Sequence, residues 1–180
     1  LYMDCNSLIY DAVRDIKPER NRTNKTFESM LIKNVCAKIV EYIRLMNPKH
    51  RVFIAFDGVA PVAKLDQQRN RRYKTGYQNH ILSKLEGATT TTDHTKYPSW
   101  NTAAITPGTE FMKKLGASIS RRFARPSEFG LDVLVVSHSN HVGEGEHKIY
   151  DYIRKHPQHH KETTTIVYGL DADLIMLTLN

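Results

Sequence analysis

The stretch RVFIAFDG, residues 51–58, contains an unbroken apolar run that stops at an aspartate and a glycine. A short continuous run of β-branched and aromatic residues predicts a strand that is buried on both faces. Three other stretches share this pattern: LYMD at residues 1–4, LDVLVVS at residues 131–137 and TTIVYG at residues 164–169. Because such strands are typical of parallel sheets, the sequence predicts an α/β fold.

Helical segments separate these predicted strands. Apolar residues recur at spacings of three and four in residues 26–46, in residues 106–123 and in a segment that ends near residue 156. A further helix is expected over residues 61–77, a loop over residues 86–105 and a polar connector over residues 156–162. The alternation predicts a mainly parallel, doubly wound sheet with helices on both faces, formed by residues 1–180 as a single α/β domain.

The composition favours an intracellular protein with a polyanionic partner and argues against a membrane protein. The 26 Lys and Arg residues exceed the 19 Asp and Glu residues, and the net charge of +7 favours a polyanionic partner. Cys5 and Cys36 form no zinc-like motif, so we expect two reduced thiols and an intracellular protein. No long apolar run and no signal peptide is visible, so we expect no membrane span. Since the sequence opens inside a predicted strand and closes inside a helical pattern, we expect a fragment of a longer protein.

Acidic side chains follow every predicted strand. Because the carboxyl ends of parallel strands meet at one edge of a sheet, we expect these side chains to converge there. The six residues are Asp4, Asp57, Glu144, Glu146, Asp171 and Asp173. Residues two apart share a face of an extended segment, which brings the last two together. Glu144 and Glu146 converge only if the first lies in the loop and the second in the first helical turn.

Six carboxylates in one pocket repel one another unless cations neutralise them or some of them take up protons. Oxygen ligands without His or Cys companions favour Mg²⁺ or Mn²⁺, and a pair of such ions is the usual device for cleaving phosphodiesters. The sequence therefore predicts a site for two metal ions. The alternative is that these acids cap the helices that follow the strands.

A basic face is predicted on the helix of residues 61–77. Four residues with spacings i, i+4, i+7 and i+8 fall within an arc of roughly 100° on one side of this helix. They are Lys64, Gln68, Arg71 and Arg72. The helix begins soon after Asp57, so this face can approach the acidic edge and grip phosphate oxygens. The alternative is a solvated basic face.

Five stretches occur in a recognisable order: YMDCNSLIYD, FIAFDGVAPVAKLDQQRNRRY, ITPGTEFMKKLG, GEGEHKIYDYIR and YGLDADLIML. Together they resemble the N-terminal conserved region of the XRN-type 5′→3′ exoribonucleases. The resemblance implies a PIN/FEN-like nuclease that removes nucleotides processively from RNA with a 5′ monophosphate. It implies that the six acids bind magnesium and that the four residues of the basic face bind the 5′ phosphate. It also implies that Tyr10, where family members carry His, stacks on the terminal base.

The family takes a further Asp of its metal site and an opening segment from regions outside this sequence, so we expect the isolated chain to be a weak or inactive nuclease. Two alternatives stay open, a flap or PIN-type endonuclease and a non-catalytic RNA-binding module. The GTEFM motif favours the cytoplasmic branch of the family over the nuclear one. We expect His147 to be a structural hydrogen-bonder, and we expect solvated side chains for His156, His159 and His160.

Overall fold

The computed structural model of the chain describes residues 1–16, 23–89 and 100–179, without the side chains of residues 71, 75, 79, 82, 83 and 85–89. Its strands are β1 (Tyr2–Asp4), β2 (Arg51–Ala55), β3 (Val133–Ser137) and β4 (Val167–Tyr168). They form one sheet in the order β3-β2-β1-β4, and all three pairings are parallel. The predicted α/β fold with a mainly parallel sheet is confirmed.

The shortest strand of the sheet is β4, although the sequence predicts a strand over residues 164–169. Among the described strands it pairs with β1 alone, where Tyr2 lies opposite Val167 and Met3 lies opposite Tyr168. Since β1 has only three residues, the ladder between the two strands is short.

Helices fill the connections between the strands. In the described part of the chain they are α1 (Asn6–Asp15), α2 (Asn24–Met46), α3 (Val62–Thr89), α4 (Glu110–Arg122), α5 (Gly145–Lys155), α6 (Pro157–Glu162) and α7 (Asp173–Thr178). Short 3₁₀ turns lie at Thr102–Ala104 and Pro126–Phe129.

Three of these helices differ from the sequence prediction. The helix predicted to end near residue 77 continues to Thr89, and residues 90–99 of the predicted loop lie outside the described residues. The helix α1 was not predicted, although it buries Leu8, Ile9 and Ala12 at helical spacing. The predicted connector contains α6, which begins at Pro157, a residue whose fixed φ favours the first helical position.

Adjacent residues of β1 face two different cores. Met3 belongs to the larger core, which includes Leu31 of α2 together with residues of α1 and α4. Tyr2 belongs to the second core, with Ile149 of α5 and Leu174 of α7. Helices therefore cover both faces of the sheet, which confirms the doubly wound arrangement. In such sheets, ligands bind beyond the carboxyl ends of the strands where the strand order reverses, which here is between β1 and β4.

Candidate metal centre and phosphate-binding helix

Two of the predicted acids, Asp4 at the end of β1 and Asp57 just beyond β2, lie on adjacent strands. Both carboxylate oxygens of Asp57 accept a hydrogen bond. The backbone N–H of Gly145 donates to Oδ1 at 2.7 Å, and the Nδ2 of Asn6 donates to Oδ2 at 2.7 Å. The backbone N–H of Asn6 also donates to Asp4 Oδ1 at 3.3 Å. Asn6 is thus a residue of the site that sequence reasoning missed.

Gly145 allows α5 to approach β1 closely. A Cβ atom at this position would lie 2.6 Å from Asp4 Oδ1 and 3.5 Å from Asp57 Oδ1. The first of these distances is shorter than real Cβ contacts, so a larger residue would displace either the helix or the Asp4 carboxylate. The glycine between the two glutamates therefore brings the start of α5 into the acidic edge.

The remaining acids form two overlapping groups. Glu144 is the extended N-cap residue of α5 and Glu146 lies in its first turn, which is the arrangement under which the sequence predicts convergence. Carboxylate oxygens of Glu146, Asp171 and Asp173 lie within 4.8 Å of one another. The same limit holds for Glu144, Glu146 and Nδ1 of His147. Each group can hold a metal ion, and the second adds a histidine that we expected to be structural.

The capping alternative applies to two of the acids, because Asp4 Oδ1 accepts the N–H of Asn6 at the start of α1. Asp171 Oδ1 likewise accepts the backbone N–H of Asp173 at the start of α7, at 3.1 Å. The side chain of Glu144, by contrast, makes no capping hydrogen bond to α5. Helix capping therefore does not account for the whole set.

Burial and mutual repulsion make these carboxylates hold protons more tightly than usual. Burial raises the pKa of Asp4 to about 6, with further contributions from the charges of Asp57 and Asp171. Burial also raises the pKa of Glu146 to about 7, and the charges of Asp171 and Glu144 add to the rise. The pKa of Asp57 is raised as well, chiefly by burial. A cation at this edge would relieve the same repulsion that the protons relieve.

The basic helix α3 meets the acidic edge through one ion pair. Lys64 Nζ lies 2.7 Å from Glu144 Oε2, and this hydrogen bond raises the pKa of the lysine. Gln68 is half-buried and Arg72 is exposed. The side chain of Arg71 lies outside the described residues. The face predicted from helical spacing therefore points, at its first turn, into the acidic site.

Tyr10 lies on α1 near the same edge. Its side chain is exposed over 42% of its area, so the ring is accessible to a ligand. Burial of the rest of the side chain raises the pKa of its hydroxyl, and the charge of Asp57 adds to the rise. Tyr10 is thus close enough to Asp57 to feel its charge, and its stacking role stays a prediction.

Two histidines of the predicted connector, His156 and His160, make structural hydrogen bonds, so the expectation of solvated side chains is wrong for these two. His160 bonds through Nε2 to the hydroxyl of Tyr2 at 3.1 Å and through Nδ1 to Thr165 Oγ1 at 2.8 Å. Nδ1 of His156 donates to the carbonyl oxygen of Tyr152 at 2.8 Å. The bond from His160 to Tyr2 joins α6 to the start of β1, at the end of the sheet away from the acids.

A groove with a volume of about 900 Å³ lies between α2 and α4, apart from the acidic site. Its lining includes Ile32, Cys36, Val40, Lys114 and Arg122, but none of the six acids.

A parallel α/β sheet that gathers six acids at its carboxyl edge, beside a basic helix, is the arrangement of a PIN-like domain. The family described as "XRN 5'-3' exonuclease N-terminus" matches residues 1–180, so the chain belongs to this family. The resemblance stated from the sequence is confirmed.

Curated relatives agree with this family. The chain is 33% identical over 196 residues to a 5′-3′ exoribonuclease 2 of Cryptococcus neoformans, covering 99% of the chain and 17% of the relative. It is 33% identical over 202 residues to a 5′-3′ exoribonuclease 2 of Schizosaccharomyces pombe, covering 99% of the chain and 19% of the relative. It is 34% identical over 189 residues to a 5′-3′ exoribonuclease 1 of Saccharomyces cerevisiae, covering all of the chain and 12% of the relative. The chain thus spans a fifth or less of the length of these relatives.

Within the described residues, no helix combines the length and the apolar character that a membrane span requires.

Proposed function

We propose that the chain is the N-terminal part of the catalytic region of a metal-dependent 5′→3′ exoribonuclease. The substrate would be single-stranded RNA with a 5′ monophosphate, and the products would be nucleoside 5′-monophosphates. The family and the names of the relatives support the reaction. The observation that carries the proposal is the 2.7 Å contact between Lys64 and Glu144, because it joins the basic helix to the acidic edge.

The acidic edge fits Mg²⁺ or Mn²⁺, because its donors are mostly carboxylate oxygens, which these ions prefer. The residues that would hold two such ions are Asp4, Asp57, Glu144, Glu146, Asp171 and Asp173. When bound, a pair of divalent ions supplies an activated water and stabilises the leaving oxygen of a phosphodiester. The hydrogen bonds from Asn6 and Gly145 fix the Asp57 carboxylate, so its orientation is set before an ion arrives.

The exposed side of α3 would hold the end of the RNA. Lys64, Gln68 and Arg72 carry donors suited to phosphate oxygens, and Arg71 is proposed as the fourth member from its spacing. If these residues grip the first phosphate, the next phosphate lies over the acids, and one nucleotide is removed at a time. Lys64 must then exchange Glu144 for the phosphate when RNA binds. Tyr10 offers a ring on which the first base can stack.

The proposal is tested by comparing the binding of two RNAs that differ only at the 5′ end. Arg72→Ala should lower the affinity for 5′-monophosphorylated RNA by about tenfold to a hundredfold, because each charge-assisted hydrogen bond is worth roughly 1.5–3 kcal/mol. It should barely change the affinity for 5′-hydroxyl RNA. The measurement is made in Ca²⁺ at fixed salt, since phosphate contacts depend on salt. Arg69→Ala is the matched control, because Arg69 is exposed and paired with Asp66 on the same helix.

Other outcomes separate the alternatives. Equal losses for both RNAs would show a general basic face instead of a pocket for the terminal phosphate. A preference for flap or internal sites would favour a PIN-type endonuclease, and RNA binding without metal-dependent turnover in a longer form of the protein would favour a non-catalytic module. We expect the 180 residues alone to be weak or inactive in turnover. The cytoplasmic setting stays a prediction.

A further inference from the structure

The helix α5 carries a lysine that binds backbone oxygens at the site. Lys148 Nζ donates to the carbonyl oxygen of Phe56 at 2.7 Å and to the carbonyl oxygen of His138 at 3.1 Å. Its side chain is half-buried. Phe56 directly precedes Asp57, and His138 directly follows β3. A single ammonium group therefore joins the ends of two strands to the helix that carries Glu144 and Glu146.

The two contacts of Lys148 lie just beyond the last paired residues of β2 and β3. The ladder between β2 and β3 ends at the pair Ala55 and Ser137. Beyond that pair the chain must leave the sheet and still present Asp57 to the start of α5. Two backbone hydrogen bonds join the segments beyond it, from Gly58 N–H to the Gly143 carbonyl oxygen at 2.8 Å and from Gly143 N–H to the Val59 carbonyl oxygen at 3.1 Å. The side chain of Lys148 adds a third connection, and the bond from Gly145 N–H to Asp57 Oδ1 holds the acid itself.

The lysine also lies in the field of the acids. Burial lowers the pKa of Lys148 to about 8, while the charges of Asp57 and Asp4 oppose this effect. An ammonium group here could act in two ways that have opposite consequences for a bound cation. As a fixed positive charge it would repel the cation, whereas as a link between strand ends and helix it would keep the carboxylates in place for the cation.

We propose that Lys148 is a positioning residue, which holds Asp57 at the end of β2 against the first turn of α5 so that carboxylates from both elements face one site. This inference rests on the proposed metal-dependent function. It assigns a role to the lysine that follows the two glutamates, a role distinct from those of the metal-holding acids and of the phosphate-binding helix.

The test uses two variants of Lys148 and one matched control. Lys148→Met keeps the aliphatic stem and removes the donors, and Lys148→Arg keeps a cation with several donors. Lys155→Met is the control, because Lys155 lies on the same helix, is exposed and pairs with Asp151. Two quantities are measured for each: the exchange rate of the Gly145 amide proton by NMR in metal-free buffer, and the affinity for Mn²⁺ by calorimetry.

Lys148→Met should speed the exchange of the Gly145 amide by at least about tenfold, while the amide of Val35, buried in α2, stays protected. It should lower the affinity for Mn²⁺ by about tenfold, the usual effect of removing a group that orients metal ligands. Lys148→Arg should keep the affinity within about threefold of wild type, and Lys155→Met should change neither quantity.

The sign of the change in affinity decides between the two roles. A higher affinity for Mn²⁺ in Lys148→Met would show that the lysine acts only as a competing charge, and the proposal would be overturned. Unchanged exchange of the Gly145 amide would overturn it as well, whatever the metal data show. If the wild-type chain binds no Mn²⁺, the proposed metal site fails, and the amide measurement still decides the role of Lys148.

Discussion

Lowering the pH from 8 to 5.5 should weaken the binding of Mn²⁺ to this chain by about 100-fold. The ion needs ionised carboxylates, and two of the acids at the site keep their protons up to pH values well above the usual range for Asp and Glu. Burial and neighbouring charges raise the pKa of Asp4 to about 6 and the pKa of Glu146 to about 7. Protons and metal ions therefore compete for the same oxygens across the neutral range.

The magnitude follows from these two values. At pH 8 both carboxylates are almost fully ionised, whereas at pH 5.5 roughly a quarter of Asp4 and about 3% of Glu146 remain ionised. If the ion requires both carboxylates in ionised form, the fraction of molecules that can bind it falls by about 100-fold. This corresponds to a loss of about 2.7 kcal/mol in the free energy of Mn²⁺ binding. Asp57, whose pKa is raised too, adds to the effect.

Isothermal titration calorimetry in two buffers of different ionisation enthalpy measures the affinity and the number of protons released. At pH 6 the binding of Mn²⁺ should release more than one proton. Glu146→Gln should make the dependence on pH shallower. Asp151→Asn, which changes an exposed acid on the same helix, should leave the dependence unchanged. An affinity that stays constant from pH 5.5 to 8, without proton release, would refute the reasoning.

Three further substitutions probe the site. Glu146→Gln should stabilise the metal-free chain by roughly 2–3 kcal/mol at pH 8 but little at pH 4.5. The reason is that folding raises the pKa of Glu146 from 4.5 to about 7, so the free energy of unfolding falls as the pH rises between those values. Equal shifts of the melting temperature at both pH values would contradict this. Gly145→Ala should abolish most of the rise in melting temperature caused by Mn²⁺, since its Cβ would lie 2.6 Å from Asp4 Oδ1. Asn6→Ala should lower the affinity for Mn²⁺ by about tenfold, whereas the exposed Asn24→Ala should not; equal effects of the two would argue against a role for Asn6.

Much of the sheet could be predicted because its strands are short apolar runs that end at charged or glycine residues. The stretch at residues 51–58 predicts β2, and the parallel arrangement then predicts that acids after each strand share one edge. The structure has this arrangement at Asp4 and Asp57, which follow adjacent strands. The placement of Glu144 before α5 and Glu146 in its first turn also follows from the glycines around them.

The residues that support the acids could not be predicted in the same way. Asn6 follows a strand and begins a helix, a position where Asn commonly caps or turns the chain. Its bond to Asp57 depends on how α1 packs beside β2. Lys148 lies on the polar side of an amphipathic helix, where helical periodicity predicts solvent exposure. Only the position of α5 across the ends of β2 and β3 turns this lysine toward backbone oxygens.

The central claim is that the acidic edge holds divalent metal ions, and anomalous diffraction from crystals grown with Mn²⁺ tests it most directly. The data would be collected on both sides of the manganese absorption edge, with Ca²⁺-grown crystals as the control. We predict manganese density within coordination distance, about 2.0–2.3 Å, of carboxylate oxygens. The ligands should be drawn from Asp4, Asp57, Glu144, Glu146, Asp171 and Asp173. Saturating Mn²⁺ with no anomalous density at this edge, or density only at sites elsewhere on the chain, would contradict the account.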